Sequence, residues 1–205
     1  MKFKILFGNI TETQDDRETT SVAHNTWRNK MANYNPLHFQ QLTETKSSPI
    51  CSLSGAVLSG LDLLGADLRY GTLEGADLSG SNLADAKLTT ANLGRAKLSE
   101  ARLAGADLYG ANLEEADLRG ADLRGADLRR SKLAQADLRG ADLRGADLRE
   151  ADLFGADFRD ADLREANLEM TAFGGQRFND YINVAQTAED NAIIASSSAK
   201  PRQHT

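Results

Sequence analysis

Leucine or phenylalanine stands at every fifth position from Leu53 to Phe178, 26 times in succession, without insertion or deletion. A small residue, nearly always alanine, precedes each by two positions, as at Ala66, Ala86, Ala106, Ala126 and Ala146. A period of five fits neither regular element. In an α-helix five residues turn through about 140°, so the leucines would spiral over the whole surface. In a continuous strand an odd period sends successive leucines to opposite faces. Either way, much of the leucine would lie in water. The chain keeps each leucine and its small neighbour inside only by changing direction once per unit, so that each unit forms one short side of a coil. The turns fall where glycines gather, at Gly60, Gly65, Gly120 and Gly140 among others, because glycine tolerates corner dihedrals. Successive coils must stack with their backbone groups paired above and below. The fold class is an all-β solenoid.

Ala136 to Leu148 reads ADLRGADLRGADL, and Ala121 to Leu133 reads ADLRGADLRRSKL. These runs resemble the pentapeptide-repeat family, whose consensus is A(D/N)LXX, and the likeness extends over residues 51–178. The resemblance implies a right-handed quadrilateral β-helix with four units per coil. That gives about 6.5 coils, roughly 30 Å long at about 4.8 Å per coil. Each central side chain buried contributes about 2 kcal/mol, so a large apolar core is available.

The repeat divides the chain in three: a non-repeat segment at 1–50, the β-helix at 51–178, and a tail at 179–205. In the first segment Trp27, Met31, Tyr34, Leu37, Phe39 and Leu42 are the main apolar supply besides the terminus. Residues 8–25 are polar and read as disordered. Asn35-Pro36 reads as an N-cap followed by a first-turn proline, which predicts a short helix through Leu42. After Phe178, Tyr181, Val184, Ala188 and Ala192 lie at helical spacing, which predicts a helix over about 180–195. A solenoid has open ends with unpaired strand edges, so both flanks are expected to cap it. The alternative for the C-terminal helix is to pair two rods as a homodimer, as in the family members that bind DNA gyrase.

Charge organises the surface. With four units per coil, residues 20 apart are neighbours on one face. Asp117, Asp137 and Asp157 form one column, Asp122, Asp142 and Asp162 a second, and Asp107, Asp127 and Asp147 a third. Arginine columns run beside them: Arg119 and Arg139, Arg124 and Arg144, Arg129 and Arg149. The expected result is a lattice of mutually neutralising pairs. Some members of the family resemble the acidic outline of duplex DNA and bind gyrase or topoisomerase in its place. Such a mimic needs a net-negative surface along its length. Here residues 116–178 hold 13 acidic and 11 basic side chains and residues 51–115 hold 9 and 5, which weakens the analogy. Direct nucleic-acid binding would need a basic stripe, and a polybasic membrane-binding surface fails for the same reason.

The sequence carries no catalytic, cofactor-binding or metal-binding constellation. His24, His38 and His204 lie in the flanks without zinc spacing. The abundant aspartates come from the repeat template, whereas a carboxylate pair for catalysis needs a cleft and unequal environments. Cys51, the single cysteine, takes the small inward position of the first unit and reads as a buried structural thiol. Leu61 and Gly71 replace the inward alanine, and Leu64, Tyr70, Tyr109 and Phe154 place apolar groups outward. Phe158, Phe173 and Phe178 read as core filling in the last coils. No apolar run approaches the ~20 residues of a membrane span, and the N-terminus lacks a convincing signal peptide, so the cytoplasm is the expected location. The function expected is a non-catalytic structural or protein-interaction module with an unknown protein partner, and the alternative is a gyrase-directed DNA mimic.

Overall fold

The computed structural model describes residues 34–172, all within one compact unit. Each unit is bridged in parallel to the unit 20 residues away, from Ser47↔Asp67 to Asp152↔Ala172. Four units therefore close one coil, and coils stack in register. The unit around Leu78 shows how the backbone is satisfied. Leu78 N donates to Lys97 O on the next coil at 2.7 Å, and Asp77 N donates to Ala56 O on the previous coil at 2.8 Å. Gly80 N donates to Ser99 O at 2.9 Å, and Ser81 N closes the turn on Leu78 O at 3.1 Å. A five-residue side thus buries its leucine without leaving a backbone donor stranded.

The corner residue, two after each leucine, has positive φ in every unit from Ile50 to Met170. A positive φ confined to the third residue of a four-residue turn is the type II pattern. Glycine marks many of these corners, as expected, yet Tyr70 (φ 59), Thr90 (φ 53) and Arg130 (φ 57) hold the same conformation. The paired coils on either side impose it, at a cost of about 1–2 kcal/mol per non-glycine corner.

The interior holds two kinds of column. Central leucines such as Leu88, Leu93 and Leu103 are fully buried, as are the alanines beside them. Where serine or threonine replaces that alanine, its hydroxyl donates to the turn carbonyl three residues back. Ser81 reaches Leu78 O at 2.7 Å and Ser131 reaches Leu128 O at 2.6 Å. Cys51 and Gly71 are consecutive levels of one column, and the Cys51 Sγ lies 2.6 Å from where a Gly71 Cβ would stand. Two irregularities in the repeat are therefore one packing event, with the sulfur filling the space that glycine leaves. Burial pushes the Cys51 thiol up to about 11, which suits an inert structural group.

Helix α1, Pro36–Thr45, precedes the coils. It has the expected Asn35 cap, whose Oδ1 accepts from Leu37 N at 2.9 Å, and it runs three residues past Leu42. Leu42 is fully buried in the same core as the coil leucines, and Tyr34 and Phe39 pack against that core. The parallel pairing begins at Ser47, one unit before Cys51, and Ser48 takes a central-leucine position there. The helix also closes part of the open edge. Asn35 N donates to Ser52 O and Ser52 N donates to His38 Nδ1, each at 2.8 Å, where a preceding coil would otherwise supply partners. The expected helix over 180–195, the residues 8–25, Phe173 and Phe178 lie outside the described residues.

Candidate interaction surface

The four faces are numbered by their first leucine: face 1 carries Leu53, face 2 Leu58, face 3 Leu63 and face 4 Leu68. Each places one outward residue before its leucine and one after. Every aspartate or asparagine in the first of these positions, from Asp62 to Asn167, accepts the N–H two residues on, at 3.0 to 3.4 Å. This side-chain turn leads the backbone into the corner. The acidic columns are thus turn formers before they are anything else.

From Asp117 to Arg164 on faces 2, 3 and 4, and at Arg69, the arginine after the leucine grips that same aspartate. Arg119 donates through Nε to Asp117 Oδ1 and through Nη2 to Asp117 Oδ2, both at 2.7 Å. Arg124 forks onto Asp122 and Arg139 onto Asp137 in the same way. Each arginine also leans on the next coil: Arg119 Nε lies 3.8 Å from Asp137 and Arg124 Nε 3.6 Å from Asp142. Each arginine thus stands between two stacked aspartates, and the sequence Asp117, Arg119, Asp137, Arg139 runs as a zigzag of alternating charge. The arginine hydrogen bond, foremost, holds the carboxyls of Asp117, Asp137 and Asp142 below the ordinary aspartate range. The ladder expected from the sequence is present and closed on itself.

Face 1 departs from this plan. Before its leucines, from Leu73 on, stand Thr72, Asn92, Asn112, Lys132 and Asp152; after them stand Glu74, Gly94, Glu114, Ala134 and Phe154. Asn112 Nδ2 donates to Asn92 Oδ1 at 3.1 Å, so two amides stack where the other faces carry ions. Among the described residues, neither the Lys132 ammonium nor the Glu114 carboxylate has an ion-pair partner. Phe154 is 55% exposed. The fourth column was within reach of the same twenty-residue arithmetic, applied to the units of Leu93, Leu113 and Leu133.

The remaining irregular residues separate. Tyr109 takes an arginine position on face 4, where its hydroxyl accepts from Arg130 Nη1 at 3.0 Å and Arg129 lies 5.5 Å from the ring centroid. It is built into the ladder. Leu64 and Phe154 sit on faces 3 and 1 and form no common patch, whereas Ile50 and Tyr70 share one corner, a coil apart. His38 was invisible as a structural residue in the sequence and serves as the acceptor that ties α1 to the first coil. Cys51 faces the interior, on the opposite side of the strand from the Ser52 amide that His38 holds. His24 and His204 lie outside the described residues. Among the described residues no group of histidine, cysteine, aspartate or glutamate is arranged to hold a metal ion, and no helix is long and apolar enough to cross a membrane.

A family model for pentapeptide repeats matches the chain in 8 copies, over residues 51–85, 60–95, 96–135 and 131–169. Similar solved structures include a pentapeptide repeat protein from the Arabidopsis thaliana thylakoid lumen, at 34% identity over 53% of this chain and 72% of that one, with a TM-score of 0.36. Another is a pentapeptide repeat protein from Nostoc Pcc 7120, at 46% identity over 40% of this chain and 68% of that one, with a TM-score of 0.40. A plasmid-mediated fluoroquinolone resistance protein matches at 19% identity over 73% of this chain and 85% of that one, with a TM-score of 0.34. No curated protein sequence is significantly similar to the chain.

Proposed function

The chain belongs to the pentapeptide-repeat family, and from that premise we propose that it is a non-catalytic interaction module whose faces and ends engage a protein partner. The family fold is a right-handed β-helix, and the parallel twenty-residue register is its expression here. The full repeat would supply about 6.5 coils, with the predicted helix over 180–195 as its C-terminal cap or as a homodimer contact, and the cytoplasm as its location. The observation that carries the reading is the closed Asp–Arg ladder. From Asp117 to Arg164, three faces spend their aspartates and arginines on one another, an arrangement unlike the pair of carboxylates in unequal surroundings that catalysis needs. What remains for recognition is the surface that the ladder does not occupy.

The ladder also argues against a gyrase-directed DNA mimic. A site built for phosphates rewards uncompensated negative charge, and the aspartates here are already held by arginines. Two experiments test the proposal. In a supercoiling assay with DNA gyrase, the purified chain at micromolar concentration is expected to have no effect; inhibition or protection would replace the module reading with the mimic. Affinity capture from the native cell, followed by reconstitution with the purified partner, is expected to give a stoichiometric complex. Failure to reconstitute any captured protein would remove the support for a partner.

A further inference from the structure

His38 ties α1 to the first coil through a ring nitrogen that must be free of a proton, and we propose that it is a pH-sensitive latch on the N-terminal edge of the solenoid. In its neutral form the latch is closed. Acid opens it and frees the strand edge of face 1. This goes beyond the interaction-module reading and does not depend on it.

The chemistry follows from one contact. Ser52 N donates to His38 Nδ1 at 2.8 Å. A backbone N–H is only a donor, so Nδ1 must be the bare nitrogen and the proton of the neutral ring must sit on Nε2. A protonated imidazole carries hydrogen on both nitrogens, and Nδ1–H would then point at the Ser52 N–H. The helix adds a second opposition. His38 is the third residue after the Asn35 cap, in a first turn that contains no acidic side chain, and a cation there meets the positive end of the helix dipole. Proton uptake is therefore easier once the first turn of α1 is released. The latch is complete above the range in which histidine ordinarily titrates, about pH 8 to 5, and is lost as pH falls through that range.

Among the described residues, no carboxylate is bonded to the ring to hold it as an imidazolium. On α1, Glu44 accepts from Gln40 Nε2 and Lys46 is paired with Asp62. Tyr34 packs against Phe39 and Cys51 turns inward, and burial raises both groups, so neither titrates in the histidine range. On face 1 the first coil offers Ser52 and Ser54, and Glu74 lies one coil further on. The other tie of the same turn, Asn35 N to Ser52 O, joins the same two segments, so the two open together. At its far end α1 stays anchored, because Lys46 O accepts from Asp67 N and the Lys46–Asp62 pair persists through this range. Opening frees both backbone groups of Ser52 at the edge of the first coil, where another strand can add, and lifts Phe39 from the core it packs against.

Amide hydrogen exchange on the full chain, read residue by residue by NMR as protection factors at about pH 7.5 and about pH 5, tests the proposal. In the parent the Ser52 and Asn35 amides are expected to lose protection about tenfold or more on acidification, while Leu103, deep in the rod, keeps its own to within about threefold. In His38→Asn, Oδ1 takes the place of Nδ1 and accepts at either pH, so the Ser52 protection should change by less than about threefold. In His38→Ala the Ser52 amide should lack protection at both pH values. His24 and His204 remain in all three chains, so any effect of theirs is common to them. A parent Ser52 amide that is unprotected at the higher pH, or whose protection does not fall, overturns the proposal. So do an equal fall in His38→Asn and parent-like protection in His38→Ala. A loss of protection spread over the whole rod would place the acid sensitivity in the coils and would overturn it as well.

Discussion

Cys51 and Gly71 should behave as a single unit in a double-mutant cycle. They are consecutive levels of the inward column on face 1, which continues as Ala91 and Ala111. In Gly71→Ala the new methyl would stand 2.6 Å from the Cys51 Sγ, closer than real Cβ contacts come, so the sulfur or the backbone must move. Overpacking of this kind costs about 1–3 kcal/mol. Lower freedom of the unfolded chain returns about 0.5–1 kcal/mol, because Gly71 does not need a left-handed backbone. The same methyl would lie 3.0 Å from Leu68 O, a turn contact that the equivalent alanines, such as Ala76, already accommodate. Cys51→Ala alone removes one buried atom and leaves a gap above the glycine, worth about 1 kcal/mol. The double variant extends the alanine column of Ala91 and Ala111 to the first two levels. We expect each single change to destabilise by about 1–2 kcal/mol and the pair to return to within about 0.5 kcal/mol of the parent. Urea unfolding followed by circular dichroism measures all four corners of the cycle. If the double variant is less stable by the sum of the single effects, the sulfur does not compensate for the glycine and the packing account is wrong.

Two further predictions concern the ladder and the core. The aspartate carboxyls gripped by arginine titrate below their unfolded values. Their contribution is therefore complete above the unfolded aspartate pKa of about 4, and is lost as pH falls through the lower folded values. The melting temperature should drop steeply below about pH 4, and Asp137→Asn, which can keep its turn hydrogen bond but not its charge, should flatten that slope; a melting temperature independent of pH over this range would contradict the ladder's role. Leu103→Lys places an unpaired charge at a fully buried site and should abolish the β-rich circular dichroism signal. The outward Ala104→Lys should leave the signal intact, and equal melting of the two variants would refute the inward assignment.

The five-residue beat was legible because every unit repeats the same physical demand: one leucine in, one small residue in, one turn. The turn positions and the ladder on three faces follow from that demand plus the twenty-residue coil. The N-cap at Asn35 was legible because Asn-Pro states its own geometry locally. Other features were not, and for particular reasons. His38 binds the backbone of Ser52 across the top of the coil, a contact between segments that share no pattern. Ser48 continues the coil with a serine where the period asks for leucine, so the first pairing at Ser47 has no sequence signal. Glycine at the corners is a preference and not a requirement, since Thr90 and Tyr70 hold the same left-handed turn.

Face 1 shows how the repeat both conceals and exposes its exceptions. Read along the chain, Asn92, Asn112, Lys132 and Phe154 are scattered exceptions, each separated from the next by three intervening units. Read at intervals of twenty, they are neighbours on one surface, which carries no forked arginine at any described level, whereas faces 2, 3 and 4 carry them from Asp117 onward. A lattice of paired charges resists being buried, because dehydrating it returns no new bond. A face without the lattice lacks that resistance. For this architecture, the places to look for function are the columns in which the aspartate–arginine alternation stops.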